Sequence, residues 1–132
     1  PGMQKVFQVF GSGEPVTPAV MKDLFATGLM YNPELATDEL VAERMQVMEI
    51  MNGHVMATMQ IPNLVDRLHE IEHPTLGFWG MDEKMMPESG LMKMVRGIRH
   101  LRTLLVNECG HWVMVEHEGM FNRACLDFLD NG

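Results

Sequence analysis

Cysteine, basic residues and long apolar runs are scarce in this 132-residue sequence. Cys109 and Cys125 are the two cysteines, too few for a disulfide framework, so we expect a reducing, cytoplasmic setting. No apolar run approaches the roughly 18 residues needed to span a membrane. The first residues do not show the pattern of an export signal. The 10 Lys and Arg residues face 18 Asp and Glu residues, which gives a net charge of -8. We therefore expect neither nucleic acid nor a membrane as a partner.

Methionine, in contrast, is abundant, with 15 residues. Its flexible, polarisable side chain fills irregular cores and also suits adaptable apolar pockets. Both uses are compatible with the sequence, and packing in the core or at an interface is the simpler one.

Hydrophobic periodicity and turn residues divide the chain into a helical first part and a mixed second part. Thr17-Pro18 and Thr37 are typical helix starts. Predicted helices span residues 3–10, 18–29, 37–60, 64–70, 91–98 and 119–129, and predicted strands span residues 75–79 and 102–106. For residues 5–10 an alternating strand is a weaker alternative. The fold class is therefore α/β, with helices followed by a βαβα unit of two parallel strands.

The segment His69-Glu70-Ile71-Glu72-His73 matches H-E-x-x-H, the signature of zinc proteases. Zinc chemistry there requires both histidines on one face of a continuing helix, and a third ligand. Pro74 follows at once and a strand begins at Thr75, so we interpret the segment as a helix-to-strand connector. We expect no metal and no cofactor.

A second group of polar residues lies where the two predicted strands end. Asp82 and Glu83 follow the first strand, and His111 follows the second within Cys109-Gly110-His111-Trp112. The carboxyl ends of parallel strands meet at one edge of a sheet, where α/β proteins build their sites. A carboxylate there can accept the Nδ1–H of His111 and stabilise the imidazolium formed when the ring takes a proton.

These residues also belong to a longer pattern that resembles a known family. It runs from Pro74-Thr75-Leu76-Gly77-Phe78-Trp79-Gly80-Met81-Asp82-Glu83 through Pro87 and Cys109-Gly110-His111-Trp112 to Glu116-His117, Phe121-Asn122-Arg123 and Leu126-Asp127-Phe128-Leu129. The pattern is similar to the C-terminal part of α/β-hydrolases, and more narrowly of meta-cleavage product hydrolases. That family splits a C–C bond in 2-hydroxy-6-oxo-dienoates formed by bacterial degradation of aromatic compounds. The resemblance implies a helical lid over residues 1–68 and the last two βα units of the core over residues 69–132.

The resemblance also implies roles for single residues. His111 is the triad histidine, and Glu83 stands where the family usually has Asp, with Asp82 beside it as an alternative acid. Trp112 lines the pocket, and Arg44 matches a lid arginine that binds and polarises the dienoate. From the residues alone, a snorkelling or salt-bridged surface side chain is the simpler interpretation of Arg44.

The nucleophile of this fold lies in a G-x-S-x-G turn upstream of the lid. Ser12 and Ser89 are the two serines, and neither lies in such a turn; nor does either cysteine. The resemblance therefore implies a C-terminal fragment of a hydrolase of small dienoate or ester substrates, inactive when alone. The alternative is a non-catalytic module that self-associates into a homo-oligomer or docks on a missing N-terminal half.

Overall fold

The computed structural model describes residues 2–51, 60 and 62–131. Its α-helices are α1 (Gly2–Gly11), α2 (Pro18–Asp23), α3 (Asp38–Ile50), α4 (Glu88–Gly97), α5 (Val113–Glu116) and α6 (Glu118–Asn131). Its strands are β1 (Thr75–Gly80) and β2 (Leu101–Val106). A π-helix (Leu24–Leu29) extends α2, and short 3₁₀ helices span Pro33–Leu35 and Val65–Glu70.

The two strands form the parallel pair that the apolar runs predict. Thr75 pairs with Leu101 and Gly80 pairs with Val106, with α4 between the strands in the chain. Because the strands pair residue for residue from their first to their last positions, β1 and β2 end side by side. The α/β class and the βαβα order are therefore confirmed.

The first half of the chain is helical, as its periodicity predicts. The side chain of Thr17 accepts a hydrogen bond from the Val20 amide, and that of Thr37 accepts one from Leu40, so both predicted N-caps are present. Residues 2–11 form a helix, which excludes the alternating strand. The main core cluster lies here, and its members are Met21, Leu24, Phe25, Leu29, Met30, Ala36 and Val41.

The helix predicted for residues 18–29 widens into a π-helix after Asp23. The Met30 amide donates to the Phe25 carbonyl five residues back, at 2.9 Å. The chain then becomes extended at Met30, so the Leu29 and Met30 carbonyls leave the helix and accept bonds from elsewhere. Those bonds bring this segment to the site described below.

The helix predicted for residues 37–60 ends earlier. α3 stops at Ile50, and Met51 has extended dihedral angles. The remaining predicted positions, among them Val55, Met56 and Met59, fall outside the described residues. The segment predicted as a helix over 64–70 is a 3₁₀ helix.

The C-terminal helix is longer than its predicted span of 119–129 and is preceded by an unpredicted turn of helix, α5. His117 separates the two because its dihedral angles are not helical. None of the described helices is long and apolar enough to cross a bilayer.

The pairing of the strands brings the backbone of the histidine turn against the end of β1. A Cβ at Gly80 would overlap the carbonyl oxygens of Gly110 and Cys109. We predict that Gly80→Ala lowers the free energy of unfolding by about 2–3 kcal/mol, because backbone atoms must move to admit the methyl group. Urea unfolding followed by circular dichroism measures this change.

Gly90 in α4 provides the matched control, since a Cβ there meets nothing within 4 Å. Gly90→Ala should raise stability by about 0.5–1 kcal/mol, because alanine favours the helix. Equal effects of the two substitutions would contradict the close approach at Gly80.

Candidate active site

The candidate site begins with the turn that presents His111. The His111 amide donates to the Leu29 carbonyl at 2.7 Å, and a Cβ at Gly110 would overlap that same oxygen. Glycine is therefore required beside the histidine, because the turn lies directly against the chain that leaves the π-helix. The backbone that carries the imidazole is therefore held between the end of β1 at Gly80 and the Leu29 carbonyl.

Glu83 is the carboxylate that meets this ring. His111 Nδ1 lies 2.6 Å from Glu83 Oε2, and the Glu83 side chain is 7% exposed against 31% for His111. The other oxygen of Glu83 accepts the Met85 amide at 2.6 Å and the Met86 amide at 3.3 Å. Since the ionised carboxylate is an acceptor only, the neutral imidazole carries its proton on Nδ1 and leaves Nε2 free to accept another.

Asp82 takes a different place. Its backbone amide donates to the Cys109 carbonyl at 2.9 Å, which joins the ends of the two strand loops. The carboxylate in contact with His111 is that of Glu83. The geometry therefore favours Glu83 over Asp82 as the partner of the histidine, and its catalytic role stays a prediction.

The side chains of Trp112 and Arg44 contact each other. The guanidinium carbon of Arg44 lies 4.7 Å from the centre of the Trp112 ring, within the range of a cation–π contact. Phe25 packs against the same indole, with ring centres 4.8 Å apart. Arg44 is exposed and lines the same cavity as His111.

A cavity of about 230 Å³ opens between these residues and the helical segment. Its polar or charged side chains are those of His111 and Arg44, and Trp112 contributes an indole. The apolar lining residues are Val6, Phe10, Met21, Leu24, Phe25, Leu29, Val47, Met48, Met51 and Met85. Met30 is fully buried in the core, whereas Met48, Met51 and Met85 line the cavity, so methionines occur in both of the settings considered from the sequence.

Two further residues support the site without having been predicted to do so. Glu116 accepts three backbone amides, from Gly110, Tyr31 and Asn32, at 2.6, 2.8 and 2.9 Å. Lys84 donates to the Met30 carbonyl at 2.6 Å. Glu116 lies in the quoted sequence pattern, but its spacing gives no sign of partners more than 80 residues away.

No family model matches the chain. The sequence is 30% identical over 99% of its length to a 2-hydroxy-6-oxo-6-phenylhexa-2,4-dienoate hydrolase of Burkholderia cepacia. It is 32% identical over 77% of its length to a 2-hydroxy-6-oxononadienedioate/2-hydroxy-6-oxononatrienedioate hydrolase of Cupriavidus pinatubonensis. The fold matches a meta-cleavage product hydrolase of Pseudomonas fluorescens IP01 with a TM-score of 0.73, at 21% identity, over 98% of this chain and 49% of that one.

The chain is homologous to meta-cleavage product hydrolases. Its fold is that of the C-terminal half of an α/β-hydrolase. It covers 47% of the Burkholderia cepacia hydrolase, so the chain spans about half the length of the curated relatives it matches.

The H-E-x-x-H segment of this hydrolase homologue does not form a two-histidine helix face. The 3₁₀ helix ends at Glu70, and Ile71 is already extended. Glu70 is instead paired with Arg67, whose guanidinium lies 2.7 Å from its carboxylate and keeps the pKa of Glu70 below its ordinary value. Within residues 2–51, 60 and 62–131, no three His, Cys, Asp or Glu side chains are placed to hold a metal ion.

Cys109 lies two residues before His111 but is unsuited to be a nucleophile. Its side chain is fully buried, and burial, followed by the nearby charges of Glu116, Asp82 and Glu83, raises the pKa of the thiol to about 12. A thiol reacts as its thiolate, so this raised pKa leaves very little of the reactive form at pH 8.

We therefore predict that Cys109 resists alkylation by iodoacetamide at pH 8 in the folded chain, whereas the half-buried Cys125 reacts. Peptide mass mapping after brief labelling measures both sites. In guanidinium chloride both cysteines should react, which serves as the control. Faster labelling of Cys109 than of Cys125 in the folded chain would contradict the burial and charge described here.

Proposed function

We propose that the chain supplies the histidine and the acid of a serine-type α/β-hydrolase that hydrolyses a C–C bond in a 2-hydroxy-6-oxo-dienoate. The observation that carries the proposal is the 2.6 Å contact between His111 Nδ1 and Glu83 Oε2 beside an apolar cavity. The names of the Burkholderia cepacia and Cupriavidus pinatubonensis relatives support the substrate class. An ester of similar shape is the other substrate that such a pair would serve.

In this proposal, Nε2 of His111 takes the proton of a serine hydroxyl as its oxygen attacks the carbonyl carbon. Glu83 accepts the Nδ1–H throughout, holds the ring in the required tautomer and stabilises the imidazolium. The C–C bond of the resulting adduct then breaks, and the ring gives the proton to the departing carbon. A water molecule, deprotonated in turn by Nε2, releases the acyl group from the serine as a carboxylic acid. Glutamate is one methylene longer than the usual aspartate, and the Met85 and Met86 amides hold its second oxygen in place.

The serine is not among these 132 residues, since the sequence contains no G-x-S-x-G turn. We propose that the 132 residues are a C-terminal fragment of the complete catalytic unit, and that the nucleophile and its oxyanion hole lie in polypeptide outside them. Without a nucleophile, the histidine has no proton to accept, so the isolated chain should be inactive.

Arg44 and Trp112 are the proposed substrate-binding residues. A dienoate has a hydrocarbon body and oxygens of negative charge, and the cavity offers apolar walls with one guanidinium. The Trp112 ring holds that guanidinium in position, 4.7 Å from its centre. Residues 1–68 would act as the lid, because most of the cavity wall comes from them. A cytoplasmic setting stays part of the proposal, supported by the two free cysteines, Cys109 and Cys125.

The test is a chimera in which residues 1–132 follow the part of the Burkholderia cepacia hydrolase that they do not cover. We predict turnover of 2-hydroxy-6-oxo-6-phenylhexa-2,4-dienoate by the chimera and none by the isolated chain. His111→Ala should lower kcat by about 10³-fold or more, and Glu83→Gln by about 10²–10⁴-fold, because the proton acceptor or its tautomer is lost. Absorbance of the dienoate measures the rates.

His69→Ala is the matched control, because it removes a histidine of the H-E-x-x-H segment and leaves His111 intact. It should change kcat less than twofold, a bound of the order expected for an exposed side chain away from the site. Loss of turnover in His69→Ala, or turnover by the isolated chain that His111→Ala abolishes, would contradict the proposal.

Exposed apolar side chains favour the alternative of a docking module. Leu105, Leu126 and Leu129 are 57%, 61% and 77% exposed, on β2 and α6. A free apolar face of a two-stranded sheet invites another chain, either a second copy or a complementary half. Light scattering on the isolated chain discriminates, since a well-behaved monomer counts against the module.

A further inference from the structure

We infer that Glu116 is a positioning residue that holds His111 and the wall of the cavity in one arrangement. The catalytic meaning of this role rests on the proposed function, but the positioning itself does not. Glu116 lies at the end of α5, six residues after Gly110 and more than 80 residues after Tyr31.

One carboxylate joins two segments of backbone. Glu116 Oε1 accepts the Gly110 amide at 2.6 Å, and Oε2 accepts the Tyr31 and Asn32 amides at 2.8 and 2.9 Å. All three partners are donors, and a carboxylate offers acceptors on both oxygens. Hydrogen bonds to an ionised acceptor are also roughly twice as strong as neutral ones. Glutamate therefore fits this place, whereas the amide of glutamine would direct two N–H donors at one of the segments.

The two joined segments are the ones that matter for the site. Gly110 precedes His111, so its amide sets the orientation of the peptide from which the imidazole extends. Tyr31 and Asn32 follow the π-helix, which contributes Leu24, Phe25 and Leu29 to the cavity. The His111 amide donates to the Leu29 carbonyl at 2.7 Å between these points.

The packing around the joint leaves no room for a side chain at Gly110. A Cβ at Gly110 would lie 2.9 Å from the Tyr31 nitrogen and 3.0 Å from Glu116 Oε1, and would overlap the Leu29 carbonyl oxygen. Gly110 itself is buried. Loss of the carboxylate would therefore leave a buried amide unpaired at the base of the histidine turn.

Amide hydrogen exchange of Glu116→Gln, measured by NMR on the 132-residue chain, tests the inference. We expect the Gly110, Tyr31 and Asn32 amides to exchange at least about tenfold faster, because their charged acceptor is lost. The Nδ1–H of His111 should exchange faster as well, although that ring proton touches Glu83 and not Glu116. Amides of the paired strands, such as Trp79, should keep their protection, so a general loss of stability is distinguished.

Glu118→Gln is the matched control, because it makes the same change of side chain at the next glutamate in the chain. Glu118 lies at the exposed start of α6. It should leave all four protons unchanged. Unchanged exchange in a folded Glu116→Gln chain, or equal acceleration throughout β1 and β2, would overturn the inference.

The unsubstituted chain provides a second measurement in case Glu116→Gln does not fold. Couplings across the hydrogen bonds should connect the amide nitrogens of Gly110, Tyr31 and Asn32 with the carboxylate carbon of Glu116. Absence of all three couplings would also overturn the inference. Since no turnover is involved, a chimera without activity would contradict the proposed function and leave this result unaffected.

Discussion

The close approach of the histidine turn to two other segments is the constraint on which the rest of the site depends. The turn lies against the end of β1 at Gly80 and against the chain leaving the π-helix at Leu29, and neither contact leaves space for a Cβ. Because Gly80 at the end of β1 pairs with Val106 at the end of β2, the turn that follows β2 lies close to the end of β1. The end of the π-helix supplies the second, because the chain becomes extended at Met30 and the Leu29 carbonyl accepts the His111 amide.

Two carboxylates then satisfy the backbone around this junction in complementary ways. Glu83 accepts the Met85 and Met86 amides with one oxygen and meets the imidazole with the other. Glu116 uses both oxygens on backbone amides. One carboxylate is therefore available for proton chemistry, and the other is engaged in holding the scaffold. Burial, together with these negative charges, raises the pKa of Cys109, which is why we expect its thiol to be unreactive.

The sequence predicts those features that rest on local chemistry. Thr17 and Thr37 cap helices because threonine at that position binds the first free amides, and two short apolar runs between turns form the parallel strands. The places of Asp82, Glu83 and His111 after these strands predict an acid near the histidine but leave the choice of acid open; in the structure Glu83 contacts the ring. Tertiary features escape such reasoning. The period of the apolar residues does not give the π-helix after Asp23 or the end of α3 at Ile50. The bonds of Glu116 to Tyr31 and Asn32 depend on partners more than 80 residues away in the chain.

The pairing of Glu83 with His111 is tested most directly by finding which ring nitrogen of His111 carries the proton. Nitrogen-15 NMR of the ring in the isolated chain measures this. We predict a proton on Nδ1, bonded to Glu83, and no proton on Nε2. In Glu83→Gln the Met85 amide keeps the side-chain oxygen, so the amide group faces the ring as a donor and the proton should move to Nε2. A ring protonated on Nε2 in the unsubstituted chain, with no change in Glu83→Gln, would contradict the account.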